Sequence, residues 1–164
     1  EQYIQMEAIR RRITSVSETT RKQIIDLIDK GNAEGNGIAA IAKSITDTIP
    51  YLSRWRASVI ARTETHGAAN YGANEAAKST GLKLKKEWIS VEDHRTRDFY
   101  HHDAYDHRAM NGQVVDMDQP FSMPWSKGDP LQIMYPGQAD MPAAAVINCR
   151  CAVGHIVDEA SLFD

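Results

Sequence analysis

Apolar residues recur at helical intervals through the first half of the chain. From Tyr3 to Lys30 most of them are three or four positions apart, with charged residues between them: Ile4, Ile9, Ile13, Val16, Ile24, Leu27 and Ile28. This spacing gathers the apolar side chains on one face and predicts one long helix or two joined helices. Serine and β-branched residues crowd positions 14–19. A helix break is therefore expected there, with a capping box within Ser15–Glu18.

Glycine and proline divide the remainder of this half into two further helices. Three glycines within residues 31–37 are expected to end the first helical stretch and to open a loop. A second helix is predicted over Ile38–Ile49, because Pro50 disfavours helical geometry at the residue before it. A third is predicted over Ser53–Ser79, with the serine as its cap. Small residues within 62–73 indicate close packing against a neighbouring element.

The periodicity changes after Gly81. Residues 82–90 alternate partly between apolar and polar side chains and contain Trp88, which is typical of a strand. The turn signal Asn111-Gly112 predicts another short strand at Gln113–Val115. Two more apolar runs are predicted to be strands, Ala143–Asn148 and Ala152–Val157.

These patterns predict an α+β fold in two parts. Residues 1–80 are expected to form a helical region with long helices, and residues 81–164 a small loop-rich α+β domain with short antiparallel strands. With 42% hydrophobic and 25% charged residues, the composition is that of a soluble globular protein. The sequence contains no apolar stretch long enough to cross a bilayer and no visible secretion signal.

Charge is distributed unevenly between the two parts. Residues 1–88 contain 14 Lys and Arg against 10 Asp and Glu, whereas the remainder contains 5 against 12. The basic surplus allows nonspecific binding of DNA by the helical half, although a surplus this small is also typical of ordinary solvated helix faces. The chain contains no phosphate-binding glycine loop, which argues against nucleotide hydrolysis.

Histidine is concentrated in one segment of the second half. Four of the six histidines lie within residues 94–107, together with several aspartates. Imidazole and carboxylate groups are ordinary ligands of zinc and other divalent ions, and Cys149 and Cys151 could add thiolates from a distant segment. If a metal is bound, His107 and the two cysteines are the best candidates, and its role is expected to be structural. The alternative places the histidines on the surface and buries the cysteines as small apolar residues.

Two enzymatic hypotheses use the same residues. A metal-dependent nuclease or hydrolase would use His101, His102, Asp103 and His107. A thiol nucleophile is formally available, but it needs a general base and an oxyanion site that the sequence does not reveal. Because a single residue separates Cys149 from Cys151, an ordinary disulfide between them is not expected, and reduced thiols or metal ligation are favoured.

A succession of short motifs in the second half resembles a known family. In order, the motifs are Trp88-Ile89-Ser90, Asp93-His94-Arg95-Thr96-Arg97, Asp106-His107-Arg108-Ala109-Met110-Asn111-Gly112-Gln113, Pro120-Phe121, Tyr135-Pro136-Gly137 and Asn148-Cys149-Arg150-Cys151. This order resembles the phage Mu protein F-like family, also described as the phage head morphogenesis or minor head protein family. Upstream, Ala61-Arg62-Thr63-Glu64 and the small-residue helix resemble the family as well, so the resemblance covers about residues 59–157.

The resemblance implies a structural protein of a tailed bacteriophage and not an enzyme. Such minor head proteins are present in few copies, associate with the portal or the capsid interior, and act in head assembly or in genome packaging and delivery. The expected partners are the portal protein, the major capsid protein or both, with phage DNA as a nonspecific partner. The expected location is the virion, with the host cytoplasm during assembly, and a metal-dependent nuclease or hydrolase is the alternative function.

The resemblance also implies a structural zinc site, from which this sequence departs. Many relatives carry two cysteines before the turn glycine, and with the final Cys-Arg-Cys this arrangement looks like a zinc site. Here the corresponding positions are Ala104 and His107, so one ligand is replaced and another is missing. The segment between them and Arg97 is longer than usual and offers substitutes, among them His101. The metal candidates are therefore His107, Cys149, Cys151 and His101.

Two arginines close to these motifs predict a polar network. Arg97 and Arg150 each carry a planar guanidinium that can bridge carboxylates or backbone carbonyls, and Asp93 is close to Arg97 in sequence. We expect the three residues to form a buried or half-buried network that holds the loops. The alternative is that the arginines lie on the surface and contact DNA or the portal.

Overall fold

Between residues 16 and 157, three helices precede two small antiparallel sheets. This computed structural model describes residues 3, 6, 7, 9, 13 and 16–157. The helices are α1 (Glu18–Ala33), α2 (Ile38–Thr48), α3 (Arg54–Ser79) and the short α4 (Ala143–Val146). The strands are β1 (Leu84–Ile89), β2 (Val114–Asp116), β3 (Phe121–Trp125), β4 (Gly128–Ile133) and β5 (Ala152–Val157), with a 3-10 turn at Phe99–His101. The predicted α+β class is confirmed.

Helix α3 begins at the predicted Ser53 cap, and α1 begins at Ser17, within the stretch where a capping box was expected. The side chain of Ser17 accepts a hydrogen bond from the backbone N–H of Thr20 at the start of α1, and Ser53 accepts one from Arg56 at the start of α3. Ser17 lies within the predicted helix break at 14–19. Most of the helical stretch predicted before that break lies outside the described residues.

Gly31 does not end α1 as predicted. The helix continues to Ala33, and Gly31 is buried where α2 crosses it. A Cβ at this position would lie only 2.6 Å from Cγ1 of Ile41, so the glycine allows the two helices to approach closely. Gly35, with a φ of +71°, supplies the left-handed geometry that follows the helix.

The larger sheet has the strand order β2-β1-β5, with both pairs antiparallel. In the central strand, Trp88 pairs with Val153 of β5 and is fully buried, with its ring edge-on to Phe121 at 5.4 Å. Helix α3 packs against β5. The strands predicted after Gly81, after Gly112 and at Ala152–Val157 are therefore present, while the division into parts at residue 80 stays a prediction.

Two elements of the second half differ from the prediction. The strand predicted at 143–148 is wrong, because Pro142 and the three alanines after it begin the short helix α4 instead. The hairpin formed by β3 and β4 was not predicted. Each of its strands contains a proline, Pro124 or Pro130, and proline normally argues against a strand. Among the described residues, no helix has both the length and the apolar character that crossing a membrane requires.

A lysine occupies the core face of the central strand. Lys86 is 0% exposed, and its Nζ donates to the carbonyl oxygen of Met134 at 2.9 Å. The same nitrogen lies 5.2 Å from the centroid of the Phe121 ring, within reach of a cation–π interaction. Burial of the ammonium group lowers the pKa of Lys86 from 10.5 to about 8.

This lowered pKa predicts that the protein becomes more stable as the pH rises from 8 to 10.5. In that window the unfolded chain binds a proton at Lys86 that the folded chain does not, so alkali favours the folded state. The gain is expected to be about 3 kcal/mol at most, from the shift of the pKa. Denaturant titrations across this range should show the gain in the wild type and in the control Lys83→Met, which alters an exposed lysine. The titrations should show no such gain in stability for Lys86→Met. An equal gain in that variant would contradict the attribution of the effect to Lys86.

Candidate metal centre

Three potential metal ligands meet inside the second half of the chain. His107, Cys149 and Cys151 are 2%, 3% and 3% exposed, and one ligand atom from each lies within 4.8 Å of the others. Nδ1 of His107 is 3.6 Å from Sγ of Cys149 and 3.5 Å from Sγ of Cys151. Both cysteines are free thiols, as their spacing predicted.

The geometry of this group fits a tetrahedral metal ion. With zinc–sulfur and zinc–nitrogen bonds of ordinary length, a sulfur and a nitrogen bound to the same tetrahedral ion are about 3.6 Å apart. Hydrogen bonds between thiols and the imidazole suit similar distances. The donor set, two thiolates and one imidazole, is one that zinc prefers.

Hydrogen bonding shifts the pKa values of the two thiols in opposite directions. The hydrogen bond to Cys151, together with burial, raises the pKa of Cys149. The same hydrogen bond, with a further contribution from His107, lowers the pKa of Cys151. One sulfur of the pair is thus already inclined to the thiolate form that binds metal ions.

The cysteine segment enters the core through an unusual backbone turn. Asn148 has a φ of +61°, a left-handed geometry that asparagine tolerates better than most residues. Its backbone N–H donates to Oγ1 of Thr63 at 2.9 Å, and its side-chain oxygen accepts from Arg62 at 2.6 Å. The Arg62-Thr63 part of the motif upstream in the sequence therefore holds the turn that precedes Cys149.

Helix α3 also holds the far end of the cysteine segment. The carbonyl oxygen of Cys151 accepts hydrogen bonds from Nε2 of His66 at 2.6 Å and from Nδ2 of Asn70 at 3.1 Å. The side-chain oxygen of Asn70 accepts from the backbone N–H of Val153 at 3.0 Å. Thr63, His66 and Asn70 follow one another at spacings of three and four, so they lie on one face of the helix.

A separate loop brings the imidazole to the cysteines. The backbone N–H of His107 donates to the carbonyl oxygen of Arg97 at 3.0 Å, and its own carbonyl accepts from the Ser90 hydroxyl. The backbone N–H of Ser90 donates to the side chain of Asn111 at 2.8 Å. Ser90 Oγ also lies 3.7 Å from Sγ of Cys151, so the motif beginning at Trp88 contacts both halves of the centre.

A polar network forms around Asp93, as predicted, but it contains Arg150 and Arg108 and not Arg97. Arg150 binds both carboxylate oxygens of Asp93, at 2.7 and 2.5 Å, and these hydrogen bonds hold the pKa of Asp93 well below its usual range. Arg97 donates instead to the carbonyl oxygen of Ile147. Arg108, which sequence reasoning missed, donates to the carbonyl oxygen of Asp93 at 2.8 Å and to the carboxylate of Asp98 at 2.9 Å.

The structure does not bring His101 to the metal group. Its Nδ1 is 2.7 Å from Oδ1 of Asp98, and its side chain is 46% exposed. Asp98 begins the 3-10 turn of which His101 is the last residue, so local backbone geometry fixes this pairing. The histidine therefore serves the turn rather than the centre formed by His107 and the cysteines.

Comparisons with known proteins agree with the motif order. The sequence model of the family described as Phage Mu protein F like protein matches residues 22–154. NAD(+)–arginine ADP-ribosyltransferase EFV of Enterococcus faecalis (strain ATCC 700802 / V583) is 27% identical over 154 residues, 92% of this chain and 29% of that protein. Uncharacterized protein YqbB of Bacillus subtilis (strain 168) is 23% identical over 143 residues, 87% of this chain and 44% of that protein.

The chain spans less than half the length of either relative. No solved structure matches it significantly. The family match nevertheless covers most of the chain, including the helix that holds the cysteine segment, the loop that carries His107 and both cysteines. The protein therefore belongs to the Phage Mu protein F like family.

Proposed function

We propose that this protein acts as a minor head protein of a tailed bacteriophage, in head assembly or in genome packaging and delivery. The observation that carries the proposal is the family match over residues 22–154. Within the proposal, the chain binds the portal protein, the major capsid protein or both. It is made in the host cytoplasm and ends in the phage head.

We further propose that a zinc ion bound by His107, Cys149 and Cys151 stabilises the second half of the chain. The support is the burial of all three residues and the spacing of their donor atoms. This half consists of short strands and long loops, and its core is correspondingly small. A metal that links the loop at 107 to the segment at 149–151 would hold these loops together without a larger core.

The alternative, a metal-dependent nuclease or hydrolase, has less support from the geometry. It needs His101, His102, Asp103 and His107 around one ion, whereas the described residues form one candidate group, and His107 is its only member from that set. The relative named as an ADP-ribosyltransferase aligns over 29% of its length. That activity is a property of the whole relative and supplies no residue assignment here.

The proposed role can be tested in a phage that carries a tagged copy of this protein. Purified heads, before and after DNA packaging, should contain the protein in few copies, and chemical cross-linking followed by mass spectrometry should join it to portal or major capsid protein. A phage lacking the protein should yield fewer infectious particles. Absence of the protein from heads, together with normal assembly in the deleted phage, would overturn the proposal.

The same heads distinguish a DNA-binding role from a protein-binding one. Nonspecific DNA binding through the basic surplus of residues 1–88 predicts an affinity that falls steeply as salt is added. If the protein cross-links to DNA alone and binds it in a salt-dependent way, the proposed partner becomes DNA and not the portal or major capsid protein. Purified protein should also be assayed for DNA cleavage with Mg²⁺, Mn²⁺ or Zn²⁺, where metal-dependent activity would favour the nuclease.

A further inference from the structure

The metal centre has three protein ligands and no fourth within the described part of the chain. The other potential ligands in the long segment before His107 either form other hydrogen bonds or lie on the surface. Asp103 accepts from the backbone N–H of Asp98, and Asp106 accepts from that of Ala109. His102, at the end of the 3-10 turn, is exposed. A tetrahedral ion at this group would therefore keep one coordination position that the described residues do not fill.

A small cavity lies beside the three ligands. Its volume is about 10 Å³, close to the space that one water molecule occupies. Besides the ligand residues, Thr96, Arg97, Asn148 and Arg150 line it, and Arg95 and Val91 lie at the same cavity. A ligand atom of about the size of a water oxygen would therefore have room beside the three residues, whereas a bulky group would not.

The charges around this cavity favour an anion. A divalent ion with two thiolates and a neutral imidazole carries no net charge. Arg150 is neutralised by Asp93, which binds both of its terminal nitrogens. Arg97 has no carboxylate partner among the described residues, since its guanidinium donates to the carbonyl oxygen of Ile147. Arg95 also lies at the cavity and shares Asp93 with Arg150, so positive charge is in excess there, and an anionic ligand is preferred to water on electrostatic grounds.

We infer that the fourth position of the metal centre takes a carboxylate supplied from outside the described part of the chain, and that Arg97 binds its second oxygen. A carboxylate has the required shape, because one oxygen fits the cavity beside the ion and the other remains for a guanidinium. The same chemistry is available from a small free carboxylate or from an Asp or Glu side chain of a partner protein. The inference rests on the metal centre proposed above.

Cobalt-substituted protein provides the test, because the visible absorption of Co²⁺ bound to thiolates responds to its fourth ligand. The full chain is loaded with Co²⁺ and titrated with acetate, and in a second arm with glutamate blocked at both backbone ends. We expect a saturable spectral change with acetate. A spectral response to both compounds would indicate that a glutamate or aspartate side chain of a partner can reach the site. A response to acetate alone would indicate that the ligand is a small free carboxylate.

Variants of Arg97 and Arg95, two of the three arginines at the cavity, separate the role of Arg97 from a general effect of charge. In Arg97→Gln the acetate concentration at half-saturation should rise about tenfold, since a charge-assisted hydrogen bond is lost. In the control Arg95→Gln it should change by less than about twofold, because Arg95 is mostly exposed and lies 3.8 Å from Asp93. Arg97→Lys, which keeps the charge, should show an intermediate value, and the cobalt spectrum without acetate reports whether each variant retains the centre.

The outcomes distinguish failure of this inference from failure of the metal centre. If the protein binds no Co²⁺ or Zn²⁺, the metal centre itself is wrong. If Co²⁺ binds with a thiolate spectrum that acetate leaves unchanged, the centre stands and the external carboxylate is wrong. X-ray absorption data with four protein ligands would overturn it in the same way. An equal response in Arg97→Gln and wild type would remove Arg97 from the site.

Discussion

Chelation of zinc from protein prepared with the metal is expected to lower the thermal unfolding midpoint by about 10 °C or more, which corresponds to roughly 3 to 5 kcal/mol for a chain of this size. The metal would join two segments that are over forty residues apart in sequence, through three buried donors. Without it, the side chains of His107, Cys149 and Cys151 are joined directly by weak thiol–imidazole contacts. Differential scanning calorimetry with and without a chelator measures the effect, alongside the zinc content.

The double variant Cys149→Ser, Cys151→Ser is the matched control for this experiment. It removes two of the three donors while keeping side chains of similar size, so its midpoint should be low and should not respond to the chelator. When the metal is chelated from the wild type, amide hydrogen exchange should become faster in the loop before His107 and in residues 148–153. If wild type contains no zinc and its midpoint is the same with chelator, the group is a hydrogen-bonded cluster and the structural metal is wrong.

Replacing Asn70 by alanine is expected to destabilise the protein by about 2 to 4 kcal/mol. The side chain is 5% exposed, and it pairs both with the carbonyl oxygen of Cys151 and with the N–H of Val153. In the variant the N–H of Val153 loses its partner inside the protein, and an unsatisfied buried donor retains its full desolvation cost. His66 still binds the Cys151 carbonyl, so the loss should be partial.

Denaturant titration measures this change, and Asn36→Ala is its control. Asn36 is exposed and pairs with Glu34 on the surface, so its replacement should cost less than about 0.5 kcal/mol. In zinc-loaded protein, Asn70→Ala should also weaken metal retention against a competing chelator, because the Cys151 backbone is less firmly placed. Equal stability of the two variants would show that the contacts of α3 with the cysteine segment contribute little.

The helices could be predicted from the sequence because their determinants are local. Ser17 and Ser53 cap residues only three positions away, and Pro50 acts on the residue before it. Gly31 was misjudged for the opposite reason. Its role depends on Ile41, which lies on another helix, and no local pattern distinguishes a glycine at a helix crossing from one at a helix end.

The strands of the second half were less predictable because their residues break the usual preferences. Lys86 occupies a core position that a period-two pattern assigns to an apolar side chain, and its partner Met134 lies 48 residues away. The hairpin of β3 and β4 contains prolines, whereas the alanine-rich run before Cys149 has no strand partner and forms α4. Only the fold supplies the contacts that decide these cases.

The three residues that meet at the candidate site could be predicted from the sequence, whereas their surroundings could not. His107, Cys149 and Cys151 stand out by residue type, and the structure brings them together. The contacts of Asn70 with the cysteine segment span over 80 positions, and asparagine and arginine occur in many surface roles. His101 was predicted to be a ligand because it lies close to His107 in sequence. The 3-10 turn that begins after Asp98 instead places its imidazole against the Asp98 carboxylate.

The Cys-Arg-Cys segment presents alternate side chains to opposite sides, with both cysteines buried at the metal group and Arg150 directed to Asp93. A single added or removed residue would exchange these sides and place a guanidinium among the ligands. The length of this segment is therefore as important as the identity of its two cysteines. The loop from Arg97 to His107 is held at its ends by the hydrogen bond from the His107 N–H to the Arg97 carbonyl. Backbone hydrogen bonds of Ala104 and Asp106 also join it to the hairpin of β3 and β4, so the position of the imidazole depends on that hairpin as well.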